Sequence, residues 1–310
     1  MKLHDKVAVV TGGAVRLGRA MALALAAQGD HLAIHYGSST DAAQETVAQI
    51  KAIGSEAVAI QADLRQAALA PTLIERAVAH FGRVDILVNS AAIYEPGSLS
   101  DTTEDNWDKH FAINLKAPFF LSQAFARCVG RDRPGHIINI ADWHAIRPDA
   151  DHLAYTLTKA ALITMTQSLA RALAPNIQVN AIAPGAILPP RGQSSAYLEQ
   201  LARGIQARRT GSPGEVVKAL LFLLDSDFVT GDLILVTGGQ HLCPPTPSRV
   251  GRGPRERGKK VKWQSFSKTS LRPDDLRLSL RSSLCDRKDK QACQVYNRFL
   301  DDRVCLKREA

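Results

Sequence analysis

Cysteine is scarce in this chain. Five of the 310 residues are cysteines, and only Cys128 lies within the first 242 residues. A small secreted fold held by disulfides needs several cysteines close together, so this scarcity excludes a disulfide framework there. We therefore expect a reduced, cytoplasmic protein. The other four, Cys243, Cys285, Cys293 and Cys305, have spacings that match no zinc-ligand pattern, and we predict no metal site.

Long hydrophobic runs are also absent. No stretch approaches the roughly 20 apolar residues that a transmembrane helix needs, so we expect no membrane partner. An alanine-rich run at 20–27 follows two arginines, as in a signal peptide, but a strand pattern at Lys6–Val10 precedes it. We interpret that run as part of the fold.

Residues 1–242 lack an excess of charge of either sign. They contain 21 Lys and Arg against 22 Asp and Glu, whereas residues 243–310 contain 18 against 8. The net charge of +9 therefore comes from the end of the chain. The first part gives no electrostatic reason to expect a nucleic acid as partner, and a role of the basic end remains open.

The composition changes after Leu242. The segment Cys243–Arg257 is rich in proline, glycine and arginine, which is typical of linkers and disordered chain. We predict one domain over 1–242 and a basic, disordered or weakly structured extension over 243–310. An alternative is that the extension results from translation past a natural end near Leu242.

Short apolar segments alternate with longer helical patterns through the first 242 residues. Helical patterns include Trp107–Cys128 and Pro213–Asp225, whereas Pro189–Gly211 is polar and without a pattern. The alternation predicts an α/β fold with a doubly wound parallel sheet, the Rossmann fold. The predicted strands are Lys6–Val10, His31–Tyr36, Ala57–Gln61, Val84–Val88, His136–Ala141, Gln178–Ile182 and Leu233–Val236.

The segment Thr11–Gly18 lies where the first strand turns into the first helix. Glycines at such a turn let the backbone approach a pyrophosphate, whose charge the helix N-terminus stabilises. The strand before and the helix after favour a dinucleotide site over an ordinary tight turn. Within the segment we expect cofactor contacts from Thr11, Gly12, Arg16, Leu17 and Gly18.

The second strand lacks a carboxylate at its end. A site for NAD places an acid there to accept a hydrogen bond from the ribose 2′-hydroxyl. This chain has Tyr36-Gly37-Ser38-Ser39, and the next acid, Asp41, is typical of a helix cap. Ser38 and Ser39 are able to donate to a phosphate, and Arg16 lies in the neighbouring loop. The sequence therefore favours NADP.

Tyr155 and Lys159 are four residues apart, so they lie on one face of a helix. An ammonium beside a phenol favours the ionised phenol, and we expect Lys159 to lower the Tyr155 pKa. Such a phenol is a candidate general acid or base. Asp142 follows the buried strand pattern His136–Ala141, at the strand end where α/β sheets bind ligands.

Together these features resemble the short-chain dehydrogenase/reductase family over residues 1–242. The resemblance implies that Tyr155 is the proton donor, that Lys159 binds the nicotinamide ribose and that Asn114 anchors a water in a proton relay. It also implies a mobile lid over Pro189–Gly211 and a homodimer or homotetramer. The implied cofactor residues are Asp63 and Leu64 at the adenine, Asn89, Ser90 and Ala91 in the cofactor floor, and Pro184, Gly185 and Ile187 at the nicotinamide.

Two departures from most of the family resemble the pteridine reductases within it. Arg16 stands where most members carry glycine, and Asp142 stands where most carry serine. The basic residue that pteridine reductases often place near Ser38 is absent. Tyr94 falls where they place an aromatic ring that stacks on the pterin.

The resemblance implies an NADPH-dependent reductase of pterins, dihydropterins or dihydrofolate, with Asp142 and Tyr94 at the substrate. A carbonyl reductase acting on a 3-oxoacyl group or a sugar is an alternative. A non-catalytic NADPH-binding protein whose tail contacts nucleic acid is disfavoured, because Asn114, Tyr155 and Lys159 are all present. Structural roles also stay open, as a turn carboxylate for Asp142, a helix-kink residue for Asn114 and a loop aromatic for Tyr94.

Overall fold

A parallel sheet of seven strands lies at the centre of residues 3–131, 133–190 and 192–242, the part of the chain that this computed structural model describes. The predicted extension 243–310 lies outside these residues. The strands are β1 (Val7–Val10), β2 (His31–Tyr36), β3 (Ala57–Gln61), β4 (Ile86–Asn89), β5 (Gly135–Ile140), β6 (Ile177–Pro184) and β7 (Leu233–Val236).

The strands lie in the order β3-β2-β1-β4-β5-β6-β7, and each pair of neighbours is parallel. The order reverses between β1 and β4, so the chain leaves β3 and crosses to the other half of the sheet. In sheets of this kind ligands bind at the carboxyl ends of the strands beside that switch point. The predicted doubly wound Rossmann fold is confirmed.

Eight α-helices of the described residues cover the two faces of the sheet. Glycines with positive φ end three of them, at Gly54, Gly82 and Gly130. Ser212 and Glu215 form a capping box at the start of α8. The helices are α1 (Arg16–Ala26), α2 (Thr40–Ile53), α3 (Ala70–Phe81), α4 (Glu104–Phe111), α5 (Ala117–Val129), α6 (Leu153–Leu173), α7 (Ser195–Ala202) and α8 (Pro213–Asp225).

The core has two large layers because successive side chains of a strand point to opposite faces. On β1, Ala8 and Val10 pack with α1, α2 and α8, whereas Val7 and Val9 pack with α3 and α5. Each fully buried large aliphatic side chain contributes roughly 1.5–3 kcal/mol to folding. The strands are therefore held rigidly, and their carboxyl ends form a fixed platform.

Two sequence-based expectations for helices are wrong. The pattern at Trp107–Cys128 is interrupted, because α4 ends at Phe111 and the five residues Ala112–Lys116 form a π-helical turn. Pro118, in the first turn of α5, starts a new helix there. In the segment expected to be irregular, the eight-residue α7 forms from good helix formers, and its shortness hides its periodicity.

Within the residues described, no helix has the length and the apolar character that crossing a membrane requires.

Candidate active site

Thr11 joins the loop after β1 to the loop after β4. Its hydroxyl oxygen accepts hydrogen bonds from the backbone nitrogens of Ser90 (2.9 Å) and Ala91 (3.0 Å). Its own backbone nitrogen donates to the Val88 carbonyl at 3.0 Å. Three of the predicted cofactor residues, Thr11, Ser90 and Ala91, therefore lie together at the switch point of the sheet.

His35 supports the same loop from β2. Its Nδ1 accepts a hydrogen bond from the Gly12 nitrogen at 3.1 Å, and its Nε2 lies 3.1 Å from the Ala62 carbonyl. This pairing requires a neutral ring with its hydrogen on Nε2. Burial lowers the His35 pKa below its ordinary value of 6.5, although the hydrogen bond to Ala62 opposes the shift. Sequence reasoning missed His35, because a histidine in an apolar strand does not indicate its partner.

The loop itself fits a dinucleotide. Gly12 has a φ of +64°, and a Cβ there would lie 3.1 Å from the Ala91 Cα. A Cβ at Gly18 would lie 2.2 Å from the Gly12 carbonyl oxygen, so α1 packs against the loop only with glycine at that position. The lack of side chains at these glycines thus lets a pyrophosphate approach the N-terminus of α1. Leu17, the residue between Arg16 and Gly18, packs partly against the core.

Arg16 adopts a left-handed conformation with a φ of +53°, at the position where most of the resembled family carry glycine. This conformation costs a non-glycine residue about 1 kcal/mol. Its Nη2 donates to the Pro189 carbonyl at 2.6 Å, in the segment after β6. This bond ties Arg16 to the segment after β6. The predicted contact of Arg16 with the cofactor stays a prediction.

The end of β2 is open. A Cβ built on Gly37 would meet no atom within 4 Å, and the neighbouring Ser38 is exposed. Tyr36 and Ser39 are partly buried, and Ser39, rather than Asp41, occupies the N-cap position of α2. The predicted contact of Ser38 and Ser39 with a cofactor phosphate stays a prediction.

The residues predicted to contact the adenine and the nicotinamide differ in what their own atoms contact in the folded chain. Asp63 receives two hydrogen bonds on its Oδ2 from Arg65, and these lower the Asp63 pKa despite the opposing effect of burial. The side chains of Leu64 and Ile187 lie in the core, so these residues reach a ligand only through their backbone. Pro184 ends β6, and Gly185 follows it with its nitrogen bonded to the Val236 carbonyl.

Asn89 lies buried at the end of β4. Its Nδ2 donates to Asn139 Oδ1 at 2.9 Å, and Asn139 donates in turn to Thr166. The Asn89 Oδ1 has no hydrogen-bond partner among the described residues, although it is buried. A buried oxygen of this kind is costly unless a ligand or water satisfies it. This orphaned acceptor fits the predicted cofactor floor.

Asp142 and Tyr155 are in direct contact. The Tyr155 hydroxyl donates to Asp142 Oδ2 at 2.8 Å, and Tyr155 is buried. Asp142 Oδ1 accepts from the backbone nitrogen of His144 at 2.8 Å, which caps the short turn that follows β5. The carboxylate therefore holds its own turn and also contacts the phenol. A structural role of Asp142 in its turn and a role in the candidate active site are thus compatible.

Our expectation that the Tyr155 pKa is lowered is wrong. The Tyr155 pKa is raised well above its ordinary value, first by burial and then by the charge and hydrogen bond of Asp142. The phenol keeps its proton at working pH, which suits a proton donor rather than a base. The sequence predicts that Lys159 lies beside Tyr155, but it does not show that the Asp142 carboxylate lies within hydrogen-bond distance of the phenol.

Lys159 lies one turn further along α6 and is buried. Its Nζ donates to the Ile140 carbonyl at 2.7 Å and lies 5.7 Å from the centre of the Tyr155 ring. Burial lowers the Lys159 pKa to about 8, and the charge of Asp142 opposes this shift. The ammonium is thus held at the carboxyl end of β5, next to the proton donor.

Asn114 lies in the π-helical turn before α5. Its Oδ1 accepts from the Ile93 nitrogen at 2.9 Å, and its Nδ2 donates to the Ile93 carbonyl at 3.1 Å and to Thr158 at 3.3 Å. π-helical turns often occur at functional sites. Asn114 therefore fixes the loop after β4 against α6, while its predicted role in a water relay stays a prediction.

Tyr94 lies beside Tyr155 at the opening of the site. Its ring is stacked on His152, with ring centres 4.1 Å apart, and meets Tyr155 edge-on at 4.7 Å. Tyr94 is 41% exposed, which leaves part of its ring surface available to a substrate. The arrangement fits a stacking role for Tyr94 as well as that of a loop aromatic.

Three side chains that sequence reasoning missed extend the site beyond Asp142. His144 Nδ1 lies 2.8 Å from Asp142 Oδ1, and His144 Nε2 lies 3.3 Å from Asp149 Oδ2. Asp149 also contacts His152, and the Asp149 pKa is lowered to about 2, first by the hydrogen bond from His152. The density of His and Asp just before Tyr155 was the available signal.

The sequence and the fold of this chain are similar to those of known proteins. Residues 13–241 match a protein-family model described as Enoyl-(Acyl carrier protein) reductase. A 2-dehydro-3-deoxy-D-gluconate 5-dehydrogenase of Escherichia coli (strain K12) is 37% identical, over 76% of this chain and 96% of that protein. A 3-oxoacyl-(acyl-carrier-protein) reductase FabG of Staphylococcus epidermidis is 35% identical, over 77% of this chain and all of that protein.

A solved structure is similar as well. FolM Alternative dihydrofolate reductase 1 from Brucella suis, in complex with NADP, superposes with a TM-score of 0.75 and 34% identity. The match covers 80% of this chain and 99% of that one. The similarity therefore extends over the sheet, its helices and the residues gathered at the strand ends.

Proposed function

Because this chain belongs to the short-chain dehydrogenase/reductase family and is an oxidoreductase, we propose that it reduces pterins, dihydropterins or dihydrofolate with NADPH. Membership of the family confirms the resemblance seen in the sequence. The observation that carries the substrate class is the hydrogen bond of 2.8 Å between the Tyr155 hydroxyl and Asp142 Oδ2.

The cofactor proposal is supported by the residues at the strand ends. The Thr11–Gly18 loop, the segment Asn89–Ala91 that Thr11 holds beside it and the buried Asn89 Oδ1 would hold the dinucleotide, and Ser38 and Ser39 would hold its 2′-phosphate. The NADP in the FolM structure supports the same choice. When bound, NADPH supplies the hydride of the reduction.

The substrate proposal follows from the pairing of a carboxylate with a phenol. A pterin offers ring nitrogens and an amino group, which a carboxylate is able to bind by hydrogen bonds. Tyr155 retains its proton and is placed to donate it, and Asp142 orients the phenol. Tyr94 would stack on the ring system of the substrate.

A carbonyl reductase is the second candidate. The sugar-acid dehydrogenase and the 3-oxoacyl reductase are similar to this chain at 37% and 35% identity. In this alternative Asp142 takes the place of the usual serine and acts only by orienting Tyr155. A purely binding role is disfavoured because Asn114, Tyr155 and Lys159 lie within one connected site.

The test is NADPH oxidation by the full chain, measured against a panel of dihydropterins, dihydrofolate and small ketones. We expect the highest kcat/KM on a dihydropterin or dihydrofolate, and a preference for NADPH over NADH. The Tyr155→Phe variant is the control, because it should bind NADPH yet lose at least about a hundredfold in kcat. A higher kcat/KM on ketones throughout the panel would favour the second candidate instead.

We also propose that the protein acts in the cytoplasm as a homodimer or homotetramer. Trp107 on α4 and Phe119 on α5 are 39% and 42% exposed, and Phe228 before β7 is fully exposed. A second copy of this chain would cover such apolar surface. Light scattering of the purified chain measures the assembly, and a monomer at micromolar concentration would contradict this proposal.

A further inference from the structure

A line of titratable side chains runs from Tyr155 to the surface. Tyr155 donates to Asp142 Oδ2, and Asp142 Oδ1 lies 2.8 Å from His144 Nδ1. On the other side of the ring, His144 Nε2 lies 3.3 Å from Asp149 Oδ2. A ring with a carboxylate oxygen at each nitrogen is in the arrangement that stabilises the imidazolium.

Exposure to water is lowest at Tyr155 and highest at Asp149, the two ends of this line. Tyr155 is buried, whereas 21% of the Asp142 side chain, 18% of His144 and 32% of Asp149 are exposed. The line therefore begins at the proton donor of the site and ends at solvent. Nothing in the proposed reduction by Tyr155 alone requires such a connection.

The groups that face His144 come from three elements. Asp142 belongs to the turn of His144 itself, and Asp149 lies in the loop before α6. His152 and Tyr155, at the start of α6, act through Asp149 and Asp142. The guanidinium of Arg147, on the same loop, donates to the His241 carbonyl at 3.1 Å. The two nearest charges are thus both carboxylates.

We propose that His144 is the proton reservoir that recharges Asp142 and Tyr155 after each turnover. This inference rests on the proposed reductase function. His144 acts through Asp142 and is therefore a positioning residue rather than one that touches the substrate. Asp149 holds Nε2–H, which leaves Nδ1 as the nitrogen that exchanges its proton with Asp142.

The proton balance is simple. The O–H bond of Tyr155 breaks as a bond from hydrogen to the substrate forms, which leaves a phenolate beside the Asp142 carboxylate. The imidazolium of His144 then gives its Nδ1 proton to Asp142 Oδ1, and the carboxyl group turns about its Cβ–Cγ bond and passes that proton to the phenolate. Tyr155 is again the phenol, Asp142 the carboxylate, and His144 is neutral. A solvent proton then restores the imidazolium. One solvent proton is consumed for each hydride that NADPH supplies.

The electrostatics agree with the geometry. Burial lowers the His144 pKa, but the hydrogen bond and charge of Asp142 and the charge of Asp149 outweigh it, and the pKa is raised above 6.5. A histidine with a raised pKa is protonated at lower pH and loses its proton as pH rises through that pKa. At a given pH, His144 therefore carries its proton more often than an ordinary histidine, and it loses that proton as pH rises.

The variant that separates proton transfer from hydrogen bonding is His144→Asn. The amide nitrogen of asparagine replaces Nδ1 as a donor to Asp142 but is unable to carry a proton. We expect kcat to fall about tenfold at pH 8, less than the roughly hundredfold loss when a directly acting acid is removed. The decline of kcat with rising pH should begin at lower pH than in the parent, and imidazole in the buffer should restore part of the rate. Asp149→Asn should shift the profile in the same direction.

The matched control is His80→Asn, which changes an exposed histidine at the end of α3 and should leave the profile unchanged. A kcat for His144→Asn equal to that of the parent at every pH would overturn the proposal. So would a uniform loss without a shift in pH and without rescue by imidazole, since a structural role predicts that result. The profile is measured on the best substrate of the panel, whether pterin or ketone, so the reservoir and the substrate class fail independently.

Discussion

At the scale of single residues, the sequence indicates the reacting groups better than their protonation. Tyr155, Lys159 and Asp142 are predictable because a helix spacing and a strand end bring them together. The raised Tyr155 pKa depends on a contact of 2.8 Å between two elements, which no spacing reveals. His144 and Asp149 were missed for the same reason, since the turn after β5 sets their pairing.

His35 gives a prediction at this scale. His35→Leu removes the acceptor for the Gly12 nitrogen and the donor to Ala62, whereas His35→Asn keeps an acceptor near Nδ1. Because a net hydrogen bond is worth about 1 kcal/mol, we expect NADPH to bind roughly fivefold to tenfold more weakly to the leucine variant and less so to asparagine. Fluorescence titration with NADPH measures both.

The same histidine has a pH signature. Its pKa is lowered in the folded chain, so unfolding takes up a proton, and this contribution to stability falls as pH drops below 6.5. The difference in unfolding free energy between parent and His35→Leu should therefore shrink in acid.

Equal NADPH affinities in the parent, His35→Leu and His35→Asn would show that His35 does not support the loop.

At the scale of elements, the sheet and most helices follow from apolar patterns. Predicted and observed strands agree within about two residues, because buried parallel strands read as continuous apolar runs. The π-helical turn at Ala112–Lys116 and the short α7 leave no such pattern. Both elements border the candidate site, where functional requirements often override the local conformational preferences of the sequence.

Arg16 links two of these elements, the loop before α1 and the segment before α7. Arg16→Gly should relieve the left-handed backbone and raise the unfolding free energy by about 1 kcal/mol, while it removes the bond to Pro189. We expect a higher substrate KM because that segment is less firmly held. Denaturant unfolding and steady-state kinetics measure the two effects.

Arg16→Lys is the comparison, since it keeps the positive charge and the unfavourable backbone. It should leave stability close to that of the parent. A glycine variant that is less stable than the parent, with an unchanged KM, would argue against this account of Arg16.

At the scale of the whole molecule, the break in composition at Leu242 predicts a domain boundary. The last contacts of the described chain lie just before it: Gln240 Oε1 accepts from the Ala186 nitrogen at 2.9 Å, and Thr237 contacts His241 at 2.7 Å. These contacts hold the segment after β6 to the end of β7. Composition predicts the boundary, whereas these side-chain contacts appear only in the structure.

Truncation after Leu242 should therefore leave both the fold and NADPH oxidation intact. Truncation after Val236 removes Thr237, Gln240 and His241, and we expect it to lower the melting temperature and to raise the substrate KM. Circular dichroism on heating and the NADPH assay compare the two. Aggregation of the longer fragment would show that residues 243–310 are part of the domain.

The pterin assignment depends on Asp142, whose carboxylate suits a pterin rather than a simple ketone. The most direct measurement is the ratio of kcat/KM for a dihydropterin to kcat/KM for a small activated ketone, in the parent and in Asp142→Ser. Serine keeps a hydroxyl at this position but offers no carboxylate to ring nitrogens, so we predict that the ratio falls by about a hundredfold or more, mainly through loss of pterin reduction. Asp142→Asn should keep much of the pterin affinity and lose rate. If both variants reduce the dihydropterin as fast as the parent, the pterin assignment is wrong and the carbonyl reductase takes its place.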